Sequence, residues 1–292
     1  MLALLAAPSD DFPLRKVRPL TWVVDYEPSW SPDGTRIALI SSRHGGMKVH
    51  VLSPKSADGS DMRQLTTGDD EDDSPAWSRG GDRIAFVRIH EGVSRILVMN
   101  ADGQVRLVAE GESIHPMWSP NGERILFNTT WFVKASKTKE EDRVIGEKID
   151  ERMDQATVCA DGTDLRRLTT GGGHTYASYS PDGQWIVHRR ARADSSKIFV
   201  MKADGSGRRD LSGASALDGW PAWSQDGKRI VFSRRVQERF QLFVMERDGG
   251  NVRQITDAIG EYTNARWAPD GSTILCSRRP GDVNLIRFPA PR

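Results

Sequence analysis

Carboxylates gather at one kind of place in this chain, and two histidines join them. Short segments ahead of six similar phrases carry Asp25 and Glu27, then Asp69, Asp70, Glu71, Asp72 and Asp73. Later copies carry Glu110, Glu112 and His115, then His174, Asp218 and Glu261. Convergent carboxylates suit a hard cation such as Ca2+, which takes about six to eight oxygens. They suit equally a cationic or amino-terminal segment of a protein or peptide partner, by charge complementarity. His115, His174 and Glu112 are of the types that ligate a transition metal. A metal-dependent lyase or hydrolase acting on a small sugar or peptide would use such a set. No HExxH or HxxxH spacing accompanies them.

Arginines follow the acids in each copy: Arg43, Arg88, Arg189, Arg190, Arg234 and Arg278 among them. The expected picture is an acidic inner ring inside a basic outer ring. Pairing of each Arg with a neighbouring carboxylate is the competing reading, and exposed pairs contribute only ~0–1 kcal/mol.

What must position these groups is a repeat. It reads PSWSPDGTRIALI from Pro28, PAWSRGGDRIAFV from Pro75 and PMWSPNGERILFN from Pro116. It returns as ASYSPDGQWIVHR from Ala177, PAWSQDGKRIVFS from Pro221 and ARWAPDGSTILCS from Ala265. The aromatic marks Trp30, Trp77, Trp118, Tyr179, Trp223 and Trp267 are 47, 41, 61, 44 and 44 residues apart. A period in the forties with strand-like content signals a β-propeller blade. Each copy gives a PDG-type turn, a short β-branched run and a second apolar run ending in a DG hairpin. An Arg-rich segment such as RRLTTG then closes the unit. The expected fold is all-β, a six-bladed propeller with four-stranded antiparallel blades.

The last unit ends after NLIRF without a closing strand, whereas RPLTW stands near the start at Arg18. The segment from Val17 to Trp22 is therefore expected to complete the last blade, which removes two free sheet edges. The periodic aromatics are read as packing between blades, each burying roughly 150–250 Å². Residues 1–17 form a tail, and 18–292 a single domain with no room for a second catalytic one.

Net charge is +1 over 292 residues, so no global field recruits nucleic acid or a membrane surface. No apolar run is long enough to span a bilayer. The start MLALLAAPSDD has no basic n-region and does not make a complete signal peptide. Cys159 and Cys276 fall in opposite blades, too far apart for a disulfide. Free thiols and the incomplete signal-peptide pattern leave a cytoplasmic or periplasmic location open, and a monomer is expected. The P-loop, the dinucleotide fingerprint and the G-x-S-x-G elbow are absent, and Gly171–Gly173 precede a strand, where no helix end can cradle phosphate.

One insertion, residues 131–155, lengthens the third interval. Thr138 and Glu141 fit a capping box, and Ile145, Ile149 and Met153 repeat every four residues. A short amphipathic helix over one face and a solvated charged loop both fit this pattern.

The phrases WSPDGTRIALISSR, FVMKADGSGRRDL and RRLTTG resemble the TolB-type β-propeller repeat, and the resemblance covers nearly the whole chain. It implies a six-bladed propeller that docks partner proteins and takes a peptide and calcium into its channel. Similar repeats cap prolyl-oligopeptidase-type peptidases, whose hydrolase domain has no counterpart in these residues. They also form oligogalacturonate lyases, which use several histidines and a metal; only His115 and His174 match that pattern.

Overall fold

The structure is a computed structural model describing residues 18–19, 25–56, 59–132, 152–213, 217–256, 260–279 and 282–287. The expected tail and the body of the insertion, with Thr138, Glu141, Ile145 and Ile149, lie outside the described residues. Met153 is buried just ahead of a strand that begins at Asp154.

Six four-stranded antiparallel sheets form the molecule. The first strands of the blades are Asp25–Trp30, Glu71–Trp77, Ser113–Trp118, His174–Tyr179, Asp218–Trp223 and Glu261–Trp267. Each touches the first strand of the next blade, and blade six returns to blade one. These strands therefore line a central channel. The sixth blade takes its outer strand from the other end of the chain, where Arg18 and Pro19 pair with Leu285 and Asn284. No helix among the described residues is long and apolar enough to cross a membrane.

The period-two pattern of each blade buries both faces, because neighbouring blades stack face to face. Six hydrophobic clusters result, one at each blade boundary. The recurring aromatic always lies against the preceding blade: Trp223 joins Val187, Ile198 and Val200 of blade four. Trp118 also donates from Nε1 to the carbonyl of Ala76, 3.1 Å away. An Arg at the start of the second strand, or one residue ahead of it, covers the next aromatic in three blades. Arg36 lies 4.6 Å over Trp77, Arg83 4.6 Å over Trp118 and Arg229 5.2 Å over Trp267. These contacts are cation–π in kind.

The PDG turns repeat one hydrogen-bond pattern. Ser31 Oγ donates to Asp33 and accepts from the amide of Arg36. The turn glycine takes positive φ and meets the proline of the preceding blade: Gly81 (φ 73°) lies against Pro32. Cys159 and Cys276 are both free, as expected from their positions.

Candidate functional site

One residue in each first strand has a left-handed backbone. Glu27, Ser74, His115, Tyr176, Trp220 and Asn264 have φ of 51, 49, 53, 49, 50 and 52°. All stand three positions before the periodic aromatic, and each falls where the pairing with the second strand shifts register. Such bulges re-aim a side chain. Four of the six precede proline, which closes the right-handed helical region to them. Left-handed backbone in a residue other than glycine costs about 1–2 kcal/mol, and it clusters at functional sites.

Five of these six residues border one space in the channel, ≈ 420 Å³ out to solvent. They also touch one another around it. Ser74 Oγ donates to Glu27 Oε2. His115 Nε2 lies 3.7 Å from Glu27 Oε1. The rings of His115 and Tyr176 are 4.1 Å apart, and those of Tyr176 and Trp220 5.2 Å. Phe240 meets Trp220 edge-on at 5.1 Å, an arrangement aromatic quadrupoles favour. The ring thus has a polar, acidic side on blades one to three and an aromatic side on blades four and five.

His115 is held from behind. Asn128 Nδ2 donates to His115 Nδ1 at 2.7 Å, and Gln155 Nε2 donates to Asn128 Oδ1 at 2.9 Å. An amide donor at Nδ1 leaves the proton of neutral imidazole on Nε2, the nitrogen that faces Glu27. Asp73, beside Ser74, has its carboxyl raised well above the usual range, first by burial and then by the nearby Glu27 and Glu71 carboxylates. Burial, then Asp73, Glu27 and Glu71, raise the Tyr26 phenol.

The remaining acids have another fate. Asp72 is fully buried and takes a two-pronged contact from Arg88, at 2.8 and 3.1 Å. Asp218 takes the same from Arg234, at 2.7 and 2.8 Å. Asp25 pairs with Arg43 at 2.9 Å. The inner acids and outer arginines therefore meet across the first two strands and neutralise one another at these three blades. Glu112 accepts from Thr130 Oγ1 at 3.0 Å in the approach to blade three. Glu261 stands opposite Arg279 in register.

His174 occupies in blade four the place that Asp holds in blades one, two and five. It is wholly buried, and its Nε2 accepts from Arg208 at 3.0 Å. Burial, then Arg208, Arg190 and Arg192, push it down to about 3. His188 lies 5.2 Å away and is lowered for the same chief reason. His115, His174 and Glu112 thus have three separate sets of partners. Among the described residues no three His, Cys, Asp or Glu converge as a bound metal requires.

Sequence reading found Glu27, Asp73 and His115 but missed Ser74, Tyr176, Trp220 and Asn264. The signal was a fixed offset, three residues before each aromatic, where six different side chains stand in an otherwise repeated phrase.

Comparison with known proteins agrees with this architecture. The TolB beta propeller domain family matches residues 17–139 and 163–288. A TolB candidate from Agrobacterium tumefaciens has a similar structure, with TM-score 0.69 and 23% identity, covering 94% of this chain and 97% of that one. TolB from Acinetobacter baumannii superposes with TM-score 0.61 and 19% identity over 78% of this chain, which spans 56% of that protein. An oligogalacturonate lyase in complex with manganese is similar at TM-score 0.57 and 16% identity, covering 94% and 93%. At such identities the likeness shows the fold alone. Curated proteins compared by sequence give no significant match.

Proposed function

The chain belongs to the TolB beta propeller domain family, and on that premise we propose that it is an interaction module. Its channel ring receives a segment of a protein or peptide partner. The observation that carries this reading is the ring of six left-handed residues, one per blade, whose side chains differ while the scaffold repeats. Its polarity describes the partner. Glu27, Glu71 and Asp73 favour a cation, such as a Lys, an Arg or a free amino terminus. Tyr176, Trp220 and Phe240 favour an apolar or aromatic neighbour in the same segment. The backbone strain belongs with this reading, since a purely structural ring would be free to use glycine at those bulges.

Selection from a random heptapeptide library on the intact protein tests it. Enriched peptides should pair a cation with an aromatic. Glu27→Gln combined with Asp73→Asn should weaken the best of them about tenfold or more, while Trp220→Ala should weaken them through the other side. Enrichment that ignores both variants would overturn the reading.

A further inference from the structure

The larger space in the channel lies on the opposite side of the ring, towards the PDG turns. It measures ≈ 960 Å³ out to solvent and is bordered by all six periodic aromatics. Its charge is unlike that of the mouth. Among the described residues no Asp or Glu borders it, whereas two arginines do, Arg266 and Arg79.

Both arginines are departures from the repeat. The position before the aromatic is Ser29, Ala76, Met117, Ser178 and Ala222 in five blades, and Arg266 in the sixth. The turn position after the recurring Ser or Ala is Pro32, Pro120, Pro181, Gln225 and Pro269 elsewhere, and Arg79 in blade two. Neither substitution serves the scaffold, because five blades build the same strand and turn without it.

Arg266 sits inside the channel and borders both spaces. Burial lowers its pKa, with Glu27 and Tyr176 opposing. Its hydrogen bond among the described residues runs from Nη1 to the carbonyl of Ala265, 3.0 Å away. No carboxylate of the described residues pairs with it, and Glu27 is turned to Ser74 and His115. Arg79 is exposed at the rim. A guanidinium carries five donors; Arg266 is half-buried, and its bond to Ala265 uses one of them.

We propose that this turn-side funnel binds a small organic carboxylate. The acid group pairs with Arg266 at the floor, in the two-pronged manner guanidinium allows. The apolar body of the ligand lies between the aromatic edges that form the wall. Arg79 at the rim adds attraction for the incoming anion. The site shares Arg266 with the acidic mouth but lies on its other side, and its existence does not depend on the partner reading.

Calorimetric titration of the intact protein with benzoate, and with benzamide as the uncharged isostere, tests the proposal. Benzoate should bind and benzamide should not. Arg266→Met keeps the side-chain length and should weaken benzoate about tenfold or more, the loss expected for a charged hydrogen-bond pair. Arg266→Lys should retain part of the affinity, and Arg79→Gln should reduce it by about threefold with a weaker salt dependence. Melting curves show whether each variant folds. Equal binding of benzoate and benzamide, or no benzoate binding to the wild type, overturns the proposal without recourse to any variant. Undiminished binding by folded Arg266→Met overturns it as well. Loss of peptide binding at the mouth with benzoate binding intact would strike only the earlier reading.

Discussion

The two ends of the channel are built by the same six strands and carry opposite charge. At the mouth, Glu27, Glu71 and Asp73 crowd together and raise the Asp73 carboxyl. At the turn side, Arg79 borders a space with no carboxylate among the described residues, and Arg266, which also reaches the mouth, borders it as well. Between them the repeated residues do one job at all six boundaries, with the aromatic packed on the preceding blade. Positions that recur make the scaffold, and positions that break the recurrence set the chemistry.

The sharpest way to break this division is to mutate a recurring residue. Trp223 is buried against blade four, so Trp223→Ala should cost about 3–5 kcal/mol. Denaturant unfolding measures it. A loss below about 1 kcal/mol would mean that the recurring aromatics serve the channel rather than the ring. Asp72 comes next. Asp72→Ala leaves Arg88 without its two-pronged partner and should cost about 2–3 kcal/mol. Its effect on peptide selection at the mouth should be small, because its charge is already matched.

How much of this was legible follows the same line. The six phrases predicted blade number, strand order and the contribution of the chain's start to blade six, and Arg18 and Pro19 pair as that closure requires. Repeats make long-range contacts readable, since one blade's pattern predicts its neighbour's. The acids were legible as residues but not as pairs. Asp72 and Asp73 are adjacent, yet strand alternation sends one to Arg88 and leaves the other among like charges. His174 read as a mouth residue because of its place in sequence. The strand turns it inward, where Arg208 holds it. Arg79 and Arg266 were visible in the aligned copies, as the only arginines at those two positions. Their meaning needed the channel, which brings blades two and six to one space.

A third experiment separates the buried histidine from the mouth. The folded state holds His174 at about 3, below the ordinary value near 6.5. The unfolded chain therefore binds a proton first as pH falls. Stability from this group is complete above about pH 6.5 and drains away towards pH 3. His188 acts in the same direction. Wild-type melting temperature should drop across that window, and His174→Asn should flatten the drop. An unchanged slope would show that His174 is protonated in the folded protein, contrary to its acceptance of a hydrogen bond from Arg208.

The smallest expected effect concerns Asp73, and its sign is opposite to that of an ordinary acidic residue. Its carboxyl is raised in the folded state by burial and by Glu27 and Glu71. The folded protein thus holds this proton more tightly than the unfolded chain does. Stability from Asp73 is present at low pH and is lost as pH rises through the unfolded value and beyond it. Asp73→Asn keeps an oxygen for the Ser74 amide, which Asp73 Oδ1 now accepts at 2.7 Å, and removes the charge. The variant should therefore be more stable than the wild type at pH 7, with the gain shrinking as pH falls and the wild-type group itself takes up its proton. The same variant should bind cationic peptides less well. A gain in stability paired with a loss in binding is what a mouth kept acidic for a partner requires. A variant less stable at pH 7 would place Asp73 with Asp72, as part of the scaffold, and the contrast between the two ends of the channel would rest on Arg266 and Arg79 alone.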